Sequence, residues 1–313
     1  MNTTNERVGW LEKELKRAYY AARASKTSKP GVIAFDKIAK LEIAALAKEI
    51  HARTYTPRPS TAFIVNKPVK REIFAAQFRD RVVHHFLFNQ VNKWWDARFI
   101  EDNYSCRVGK GTLYGIRRLD HHIRSVSCNY TKPAYILKLD LQGYFMSLDR
   151  KKLYQRATWG LDRQFPYGGY CYQLCKFLWK VIIFNDPLKD VVLNCPRSAW
   201  KGLPPSKSLF HQKEGRGIAI GNLTSQLLSN MYLDQLDRFV TLELGFKHYG
   251  RYVDDFFIVL GSKDELIKAT TVIERYLQRS LLLTLHPHKR HLQECNKGVA
   301  FRCGNLSVSD SPW

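Results

Sequence analysis

Two adjacent carboxylates, Asp254 and Asp255, stand directly before a run of aromatic and β-branched residues at 256–260. Such a run is typical of a buried β-strand. Because strand pattern also precedes the pair, the sequence predicts a β-hairpin that holds both carboxylates at its tip, where they could bind a metal ion. Asp is also common in turns, since its side chain bonds nearby backbone, so the pair taken alone could be turn chemistry.

A third carboxylate, Asp140, ends a second predicted strand at 135–140. Nucleotidyl transfer uses two hard cations bound by oxygen ligands, so an enzyme must bring carboxylates from separate strands to one point. Asp140 and Asp254 are therefore the candidate metal ligands. Asp255 would assist them, either through a metal or through a hydrogen bond to a ligand.

Hydrophobic periodicity predicts helices and strands around these residues. The pattern over residues 1–62 predicts basic helices. These helices either bind RNA or are solvated and bind no ligand. The further predicted elements are a helical break at 28–31, a hairpin of strands 63–65 and 71–74, and helices over 78–95, from Gly221 onward and over 265–277.

The charge balance indicates a polyanionic partner. The chain has 50 Lys and Arg against 28 Asp and Glu, a formal charge of +22, and nucleic acid is the default partner for such a balance. Its 313 residues, 45% of them hydrophobic, are enough for a sizeable core in one large or two interleaved domains. Neither a bilayer-spanning stretch nor the apolar core of a signal peptide is found, so the sequence predicts a cytoplasmic protein without membrane contact.

Cysteines and histidines are the other possible metal ligands. The seven cysteines are an odd number at scattered spacing, unlike a disulfide framework or a zinc site, and Cys171 and Cys175 are predicted to be core thiols. The adjacent histidine pairs that begin at His84 and His121 point to different helix faces, so they are predicted to be structural or to face phosphate.

The Tyr-Val-Asp-Asp sequence at 252–255, together with Asp140 and the Leu-Gln-Gly-Tyr-Phe that follows it, resembles the palm of reverse transcriptases. The resemblance extends in motif order from about Phe63 to Phe301. Within that family, residues 217–226 are most similar to the enzymes of diversity-generating retroelements, which copy an RNA template with frequent errors at adenines and use the cDNA to rewrite a target gene. The resemblance implies an α+β right-hand polymerase fold with fingers and palm, in which helices flank an antiparallel palm sheet.

The resemblance also divides the chain into segments. Residues 1–62 are a helical basic lead-in, 63–133 the fingers, and 134–300 the palm, within which 151–216 is a fingers or insertion segment. Residues 301–313 stand where relatives continue into a helical thumb. One permitted set of codons for this tail, read one base later, gives a sequence similar to the family's continuation, so we expect a frameshifted or truncated chain with the thumb largely absent.

Further site residues follow from the family's motifs. Phe145 takes the position beneath the incoming sugar, where a bulky ring excludes a ribose 2′-hydroxyl, which implies a preference for deoxynucleotides. Residues 283–289 resemble the strand and turn that place a lysine near the triphosphate. This lysine, Lys289, could protonate the pyrophosphate leaving group, or it could be an ordinary surface lysine. The resemblance implies catalytic and metal-binding residues Asp140, Asp254 and Asp255, with Leu141 as a further metal-binding position; nucleotide-binding residues Lys67, Arg71, Phe145, Ile220, Gly221, Gln226 and Lys289; and nucleic-acid-binding residues Arg107, Lys110, Asn222, Ser225 and Tyr252.

One motif departs from the family's usual pattern. Most reverse transcriptases have Gln-Gly where this chain has Ile220-Gly221, and Ser-Pro where it has Ser225-Gln226. An aliphatic side chain cannot donate the hydrogen bonds of Gln, and lost polar contacts weaken discrimination between nucleotides. We therefore hypothesise that Ile220 contributes to low fidelity.

The resemblance implies an RNA-directed DNA polymerase that uses two Mg²⁺ ions, for which Mn²⁺ may substitute. Its substrates would be an RNA template, a DNA or RNA primer and dNTPs, and its partner a small basic accessory protein. The implied setting is a prokaryotic or phage-encoded chain. Two alternatives stay open: a reverse transcriptase of a retron, group II intron or abortive-infection lineage, and a non-catalytic RNA-binding remnant.

Overall fold

The computed structural model describes residues 3–67, 69–301 and 304–306. These residues group into two units, each assembled from two separate stretches of the chain. Unit 1 contains residues 1–97 and 148–228, and unit 2 contains residues 98–147 and 229–313, so far as each is described.

Helices and strands alternate irregularly along the chain. The helices are α1 Thr4–Arg23, α2 Pro30–Asp36, α3 Ala39–Ala52, α4 Phe78–Arg98, α5 Thr112–Ser127, α6 Tyr144–Ser147, α7 Arg150–Gln164, α8 Tyr170–Phe184, α9 Leu223–Arg238 and α10 Lys263–Tyr276. The strands are β1 Thr61–Val65, β2 Arg71–Ala75, β3 Tyr135–Leu141, β4 Val192–Leu193, β5 Tyr249–Tyr252, β6 Asp255–Leu260, β7 Leu285–Glu294, β8 Val299–Phe301 and β9 Gly304–Leu306.

The N-terminal helices of unit 1 follow from local sequence signals. Thr3 and Glu6 form a reciprocal capping box at the start of α1, and the apolar positions that include Leu11 and Leu15 are buried on one face. The predicted helical break ends earlier than expected, because Pro30 starts α2, and proline is favoured at the first position of a helix. The prediction of helices in this region is confirmed.

The sheet of unit 1 has the order β2-β1-β4. β1 and β2 form the predicted antiparallel hairpin, with Thr61 opposite Ala75 and Val65 opposite Arg71, and β4 adds to β1 in parallel. The long helix α4 carries Trp95, whose ring lies so close to Gly160 of α7 that a Cβ on the glycine would overlap it. Only glycine fits this contact.

The sheet of unit 2 has the order β5-β6-β3-β7, and all of its neighbouring strands are antiparallel. Phe256 to Val259 of the inner strand β6 are all buried, as the apolar run predicts. Helix α5 contributes Leu119 and Ile123 to a core cluster with residues of β3 and β6, and α10 buries its apolar face, including Ile273. These findings confirm the α+β fold with an antiparallel sheet flanked by helices.

The helix predicted from Gly221 instead begins at Leu223. Gly221 has φ 124°, which is incompatible with a helix. A Cβ at this position would lie 2.9 Å from Ile73 Cγ2 of β2, so the close approach and the backbone conformation both require glycine. Gly221 therefore lies in a loop that packs against β2.

A strand and a turn are expected over residues 283–289, whereas β7 begins at Leu285 and continues to Glu294. The pairing of β7 with β3 jumps at this point, from Leu139 opposite Arg290 to Leu141 opposite Leu285. The skipped residues form an irregular bulge that contains Pro287, as expected because proline cannot donate to a strand ladder. The prediction located the irregularity but missed that the strand continues through it.

Two further sequence predictions concern thiols and the C-terminal tail. Cys175 is buried, but Cys171 is only half-buried, so the pair is not wholly in the core. The backbones of β8 and β9 pair with each other, whereas residues 302–303 and 307–313 of the predicted frameshifted tail lie outside the described residues. Within the described part of the chain, no helix combines the length and the apolar character needed to cross a membrane.

Candidate active site

Strand pairing in unit 2 brings the three predicted carboxylates to one end of the sheet. Asp140 of β3 lies opposite Asp255 of β6, and opposed residues in antiparallel strands have Cβ atoms about 4.5–5.5 Å apart. Asp254 precedes Asp255 in the turn between β5 and β6. Asp140 is buried, the two hairpin carboxylates are half-buried, and Leu141 next to Asp140 is buried at the end of β3.

Lys289 reaches the same end of the sheet from the bulge in β7. Its Nζ donates a hydrogen bond to Asp140 Oδ2 at 3.0 Å, while about half of the lysine side chain stays exposed. A bulge re-aims the side chains of the residues that leave the strand pairing. The bulge therefore lets a lysine on an edge strand contact a carboxylate on its inner neighbour.

Carboxylates from adjacent strands fit the ligand preference of Mg²⁺. This ion is usually bound through one or two carboxylates and keeps water and substrate phosphates as its other ligands. Asp140, Asp254 and Asp255 supply hard oxygen donors of that kind. No group of three or more His, Cys, Asp or Glu side chains among residues 3–67, 69–301 and 304–306 is arranged to hold a metal alone.

A buried ion pair lies beneath the turn that carries Asp254. Arg251 of β5 is fully buried, and its Nε and Nη2 donate to the two carboxylate oxygens of Asp237 at 2.6 and 2.7 Å. Burial alone would lower the pKa of Arg251, but the adjacent Asp237 outweighs it and raises that pKa above the usual value. Burial, and then Asp237, raise the pKa of Tyr249, whose hydroxyl donates to the same carboxylate at 2.7 Å.

Sequence reasoning missed this pair. Its signal was an arginine at 251 in a strand whose neighbours are apolar or aromatic, because a buried arginine requires a buried carboxylate. Nothing in the sequence pattern shows which carboxylate supplies it, since Asp237 lies on the preceding helix α9.

Phe145 lies in the short helix α6, directly after β3. Its half-buried ring packs edge-on against Tyr144 at a centroid distance of 5.3 Å. Tyr144 is fixed in turn, because its buried hydroxyl donates to the Ser229 carbonyl at 2.8 Å, and burial raises its pKa. Phe145 thus has a fixed neighbour close to Asp140 in sequence, and its role in sugar selection stays a prediction.

The basic loop before α5 uses its cations internally. Arg107 Nη1 donates to the carbonyls of Ile100 and Asn103 at 2.7 and 3.2 Å, and Lys110 Nζ lies 3.0 Å from a carboxylate oxygen of Glu101. These bonds hold the loop's own backbone. Contact of Arg107 and Lys110 with nucleic acid stays a prediction, as does that of Tyr252, which is half-buried and packs against the core of unit 2.

In unit 1, the β1–β2 hairpin presents the basic side chains predicted to contact the triphosphate. Lys67 and Arg71 are exposed, and Lys70 Nζ donates to the Lys201 carbonyl at 2.6 Å. Glu72 of β2 is fully buried. The hairpin is therefore fixed through its buried side and open on its basic side.

The loop at 217–222 is bonded to β2 in the same unit. The Phe74 N–H donates to the Ile220 carbonyl at 2.8 Å, and the Ala76 N–H donates to Asn222 Oδ1 at 3.2 Å. Asn222 thus has a structural partner, while the side chain of Ile220 is half-buried. The backbone at 220 is fixed whatever side chain it carries.

The first turn of α9 contains the remaining predicted residues. Ser225 is buried and Gln226 is exposed. Thr224 is buried beside them, and its Oγ1 lies 2.7 Å from His84 Nδ1. Burial, and then the neighbouring His85 and Arg81, lower the pKa of His84 to about 4, so this imidazole is neutral near pH 7 and has a hydroxyl partner. The structural interpretation of His84 agrees with this environment.

The antiparallel sheet, its flanking helices and the acidic residues at one end of it define a right-hand polymerase fold. A family model described as reverse transcriptase (RNA-dependent DNA polymerase) matches residues 69–301, which is most of the chain. The chain therefore belongs to the reverse transcriptase family.

Solved structures with a similar fold include the apo telomerase of Candida tropicalis. That structure superposes with a TM-score of 0.52 at 12% identity, covering 81% of this chain and 48% of the telomerase chain. The same enzyme truncated from its C-terminal domain gives a TM-score of 0.54 at 11% identity, covering 88% and 59%. The chain spans about half the length of these relatives, and identities this low show the fold alone. No curated protein matches the chain.

Proposed function

We propose that the chain is an RNA-directed DNA polymerase that makes cDNA on an RNA template from a DNA or RNA primer and dNTPs. The observation that carries this proposal is the register of β3 on β6, which sets Asp140 opposite Asp255 and beside the turn of Asp254. Membership of the reverse transcriptase family and a formal charge of +22 support the same reaction and a nucleic-acid substrate.

In this proposal Asp140, Asp254 and Asp255, together with Leu141, hold two Mg²⁺ ions, for which Mn²⁺ substitutes. Such ions, when bound, lower the pKa of an attacking hydroxyl and neutralise charge on a triphosphate. Lys289, with its Nζ 3.0 Å from Asp140 Oδ2, protonates the leaving pyrophosphate as a general acid.

The other predicted residues bind and orient the substrates. Phe145 excludes a ribose 2′-hydroxyl from the sugar position. The exposed cations of the β1–β2 hairpin bind the triphosphate, since positive charge stabilises it. The proposed nucleotide contacts are Lys67, Arg71, Ile220, Gly221 and Gln226, and the proposed nucleic-acid contacts are Arg107, Lys110, Asn222, Ser225 and Tyr252.

We also propose that the enzyme is error-prone and serves a diversity-generating retroelement. The sequence at 217–226 supports this assignment by its resemblance to those enzymes, and Ile220 removes the hydrogen-bonding side chain that most relatives have there. The same resemblance supports a small basic accessory protein as partner and a cytoplasmic, prokaryotic or phage-encoded setting.

Primer extension on an RNA template tests the proposal. The purified chain, with Mg²⁺ and dNTPs, should extend a DNA primer, and Asp254→Ala should lower the rate at least about 10³-fold because it removes a metal ligand. RNA affinity should change less than twofold, since no positive charge is lost. Asp264→Ala, which removes an exposed carboxylate at the start of α10, is the matched control and should extend normally.

Sequencing the products separates the alternatives. Errors concentrated opposite template adenines would support the retroelement, and accurate cDNA would favour a retron, group II intron or abortive-infection lineage. A chain that binds RNA but makes no product in Mg²⁺ or Mn²⁺ would contradict the proposed polymerase and favour a non-catalytic RNA-binding protein.

A further inference from the structure

The turn between β5 and β6 contains a backbone conformation that is unusual for its residue type. The hairpin has Tyr252 opposite Asp255, so Val253 and Asp254 alone form the loop. Val253 has φ 57°, in the left-handed region, where a β-branched residue is strained. Such a conformation persists only where surrounding contacts over-determine it.

Two buried side chains supply those contacts. The Val253 N–H donates to Ser105 Oγ at 3.1 Å, and the Val253 carbonyl accepts from Arg251 Nη1 at 2.9 Å. Ser105 is 2% exposed and Arg251 is fully buried. Both backbone polar groups of Val253 are thus bound by side chains shielded from water, where hydrogen bonds are stronger.

These two side chains are themselves fixed by their neighbours. Arg251 is held by the carboxylate of Asp237, as described above. Asn230 connects the two, because its Nδ2 donates to the Ser105 carbonyl at 2.9 Å, and its Oδ1 lies 3.3 Å from both Ser105 Oγ and Arg251 Nη1. The Ser105 hydroxyl therefore donates to Asn230 and accepts from Val253, which uses its donor and an acceptor site.

We propose that Ser105 and Arg251 are positioning residues that hold Val253 in its left-handed conformation and thereby fix Asp254 for metal binding. The inference rests on the proposed function in one respect, that Asp254 is a metal ligand. It gives a role to Ser105, which lies in the basic loop before α5 and contacts the catalytic hairpin instead of a phosphate.

Ser105 allows a cleaner test than Arg251. Loss of Arg251 would leave the buried charge of Asp237 without its partner and threaten folding. Ser105→Ala removes one hydroxyl and keeps that ion pair. The measurement should separate a positioning effect on Asp254 from a general loss of stability, because any buried hydrogen bond can stabilise a fold.

Unit 2 contains a closely matched control in Ser127. Ser127 is also 2% exposed, and its Oγ accepts a hydrogen bond from the Tyr130 N–H at 2.8 Å. Tyr130 is likewise left-handed, with φ 66°. Ser127→Ala therefore removes the same kind of bond from the same kind of backbone, but at the end of α5 instead of beside Asp254.

The experiment compares the full-length chain with both serine variants in three measurements. Mn²⁺ affinity is titrated by electron paramagnetic resonance in the presence of a non-hydrolysable dNTP, kcat and KM are measured for dNTP incorporation, and stability is measured by urea unfolding. Ser105→Ala should weaken Mn²⁺ binding about tenfold and lower kcat by about 10- to 100-fold, since a small misplacement of a catalytic group is costly. Ser127→Ala should change both less than about twofold while losing similar stability.

Combining Ser105→Ala with Val253→Gly tests whether Ser105 acts on metal binding through the backbone of Val253. Glycine adopts left-handed conformations without strain, so Val253→Gly should reduce the effect of Ser105→Ala on Mn²⁺ affinity, giving a non-additive double mutant. Ser105→Cys, with a similar size but a weak sulfur acceptor, replaces the alanine variant if that variant does not fold.

The outcomes are distinguishable. Equal effects of Ser105→Ala and Ser127→Ala on Mn²⁺ affinity, or an effect of Ser105→Ala that is unchanged by Val253→Gly, would overturn the positioning role. A wild-type chain that binds no Mn²⁺ would overturn it as well. If the wild-type chain binds Mn²⁺ but extends no primer, the proposed polymerase fails, while the Mn²⁺ titrations still decide the positioning role.

Discussion

The β5–β6 hairpin and the β1–β2 hairpin each contain a buried charge, but that charge is stabilised differently in the two. On β5, the guanidinium of Arg251 is paired with the carboxylate of Asp237. On β2, the carboxylate of Glu72 accepts hydrogen bonds from three neutral donors, which are Trp200 Nε1 at 2.6 Å, Ser208 Oγ at 2.7 Å and the Leu209 N–H at 2.7 Å. Both charged residues are fully buried.

The difference shows what each buried charge organises. Arg251 and its counter-ion fix a two-residue turn, where geometry must be held within a narrow range. Glu72 instead binds side-chain and backbone donors from residues 196–212, a stretch that contains three short 3₁₀ helices but no β-strand. A carboxylate can be stabilised by several dipoles in place of a cation, since each donor favours its charged form. The buried carboxylate of Glu72 can therefore hold together short 3₁₀ helices that no sheet connects.

The largest expected effect comes from breaking the charge pair. Arg251→Met keeps a long, unbranched side chain but removes the positive charge, which leaves Asp237 buried without its counter-ion. The free energy of unfolding should therefore fall by about 3–5 kcal/mol. Urea unfolding of the purified chain measures this. Arg124→Met, which breaks the partly exposed pair with Asp120 on α5, is the control and should leave the free energy of unfolding nearly unchanged, because solvent screens an exposed pair.

Arg251→Met should lose stability mainly because the buried carboxylate of Asp237 is left without a counter-ion. Adding Asp237→Leu should therefore recover part of the lost stability, because a well-packed apolar pair can replace a buried ion pair. An Arg251→Met variant as stable as the Arg124→Met control would contradict this role of the buried ion pair in the β5–β6 hairpin.

A smaller effect is expected at the other hairpin. Glu72→Gln keeps the shape of the side chain, but its amide nitrogen would face a donor, so at least one hydrogen bond is lost at a cost of about 1–3 kcal/mol. Urea unfolding and the rate of limited proteolysis within 196–212 measure the change. The exposed Glu214→Gln should leave both unaffected. A loss as large as that of Arg251→Met would show that the two buried charges are equivalent after all.

The smallest expected effect concerns fidelity and leaves both buried charges intact. Because the Ile220 carbonyl is already bonded to the Phe74 N–H beside Glu72, Ile220→Gln should change the side chain without moving the backbone. Misincorporation opposite template adenine should fall about threefold as polar discrimination returns, as measured by sequencing cDNA. Ile33→Gln, at an exposed position of α2, is the control. Equal error rates in Ile220→Gln and the wild-type chain would contradict the hypothesis that Ile220 lowers fidelity.

Sequence patterns predicted the elements that local signals determine. The apolar run after Asp255 and the strand before Asp140 gave the inner strands, and alternation gave the β1–β2 hairpin. The pairing of Ser105 with Val253 could not be predicted, since the two residues lie far apart in sequence and a serine in a basic loop has many possible partners.

The roles of side chains in the loops were harder to predict from the sequence than the helices and strands. Arg107 and Lys110 have the composition of a phosphate-binding loop, yet their hydrogen bonds go to the loop's own carbonyls and carboxylate, a choice that depends on backbone geometry. Pro287 signalled an irregularity in the last long strand, but only the register of β7 on β3 shows that four residues there face the single position of Asp140. Composition identifies candidate ligands, whereas contacts far apart in sequence decide which of them are free to bind.

The order of strands in the sheet of unit 2 differs from the order in which the ribosome makes them. β3 is synthesised early, but both of its neighbours are late, since β6 begins at Asp255 and β7 at Leu285. At 5–20 residues per second, a ribosome needs roughly 6–24 s to pass from the end of β3 to the end of β6, the first of its two neighbours to be made. During that interval an apolar strand has both edges unpaired, and such edges recruit other chains. The yield of the protein in a cell therefore depends on what shields β3 until its partners are made.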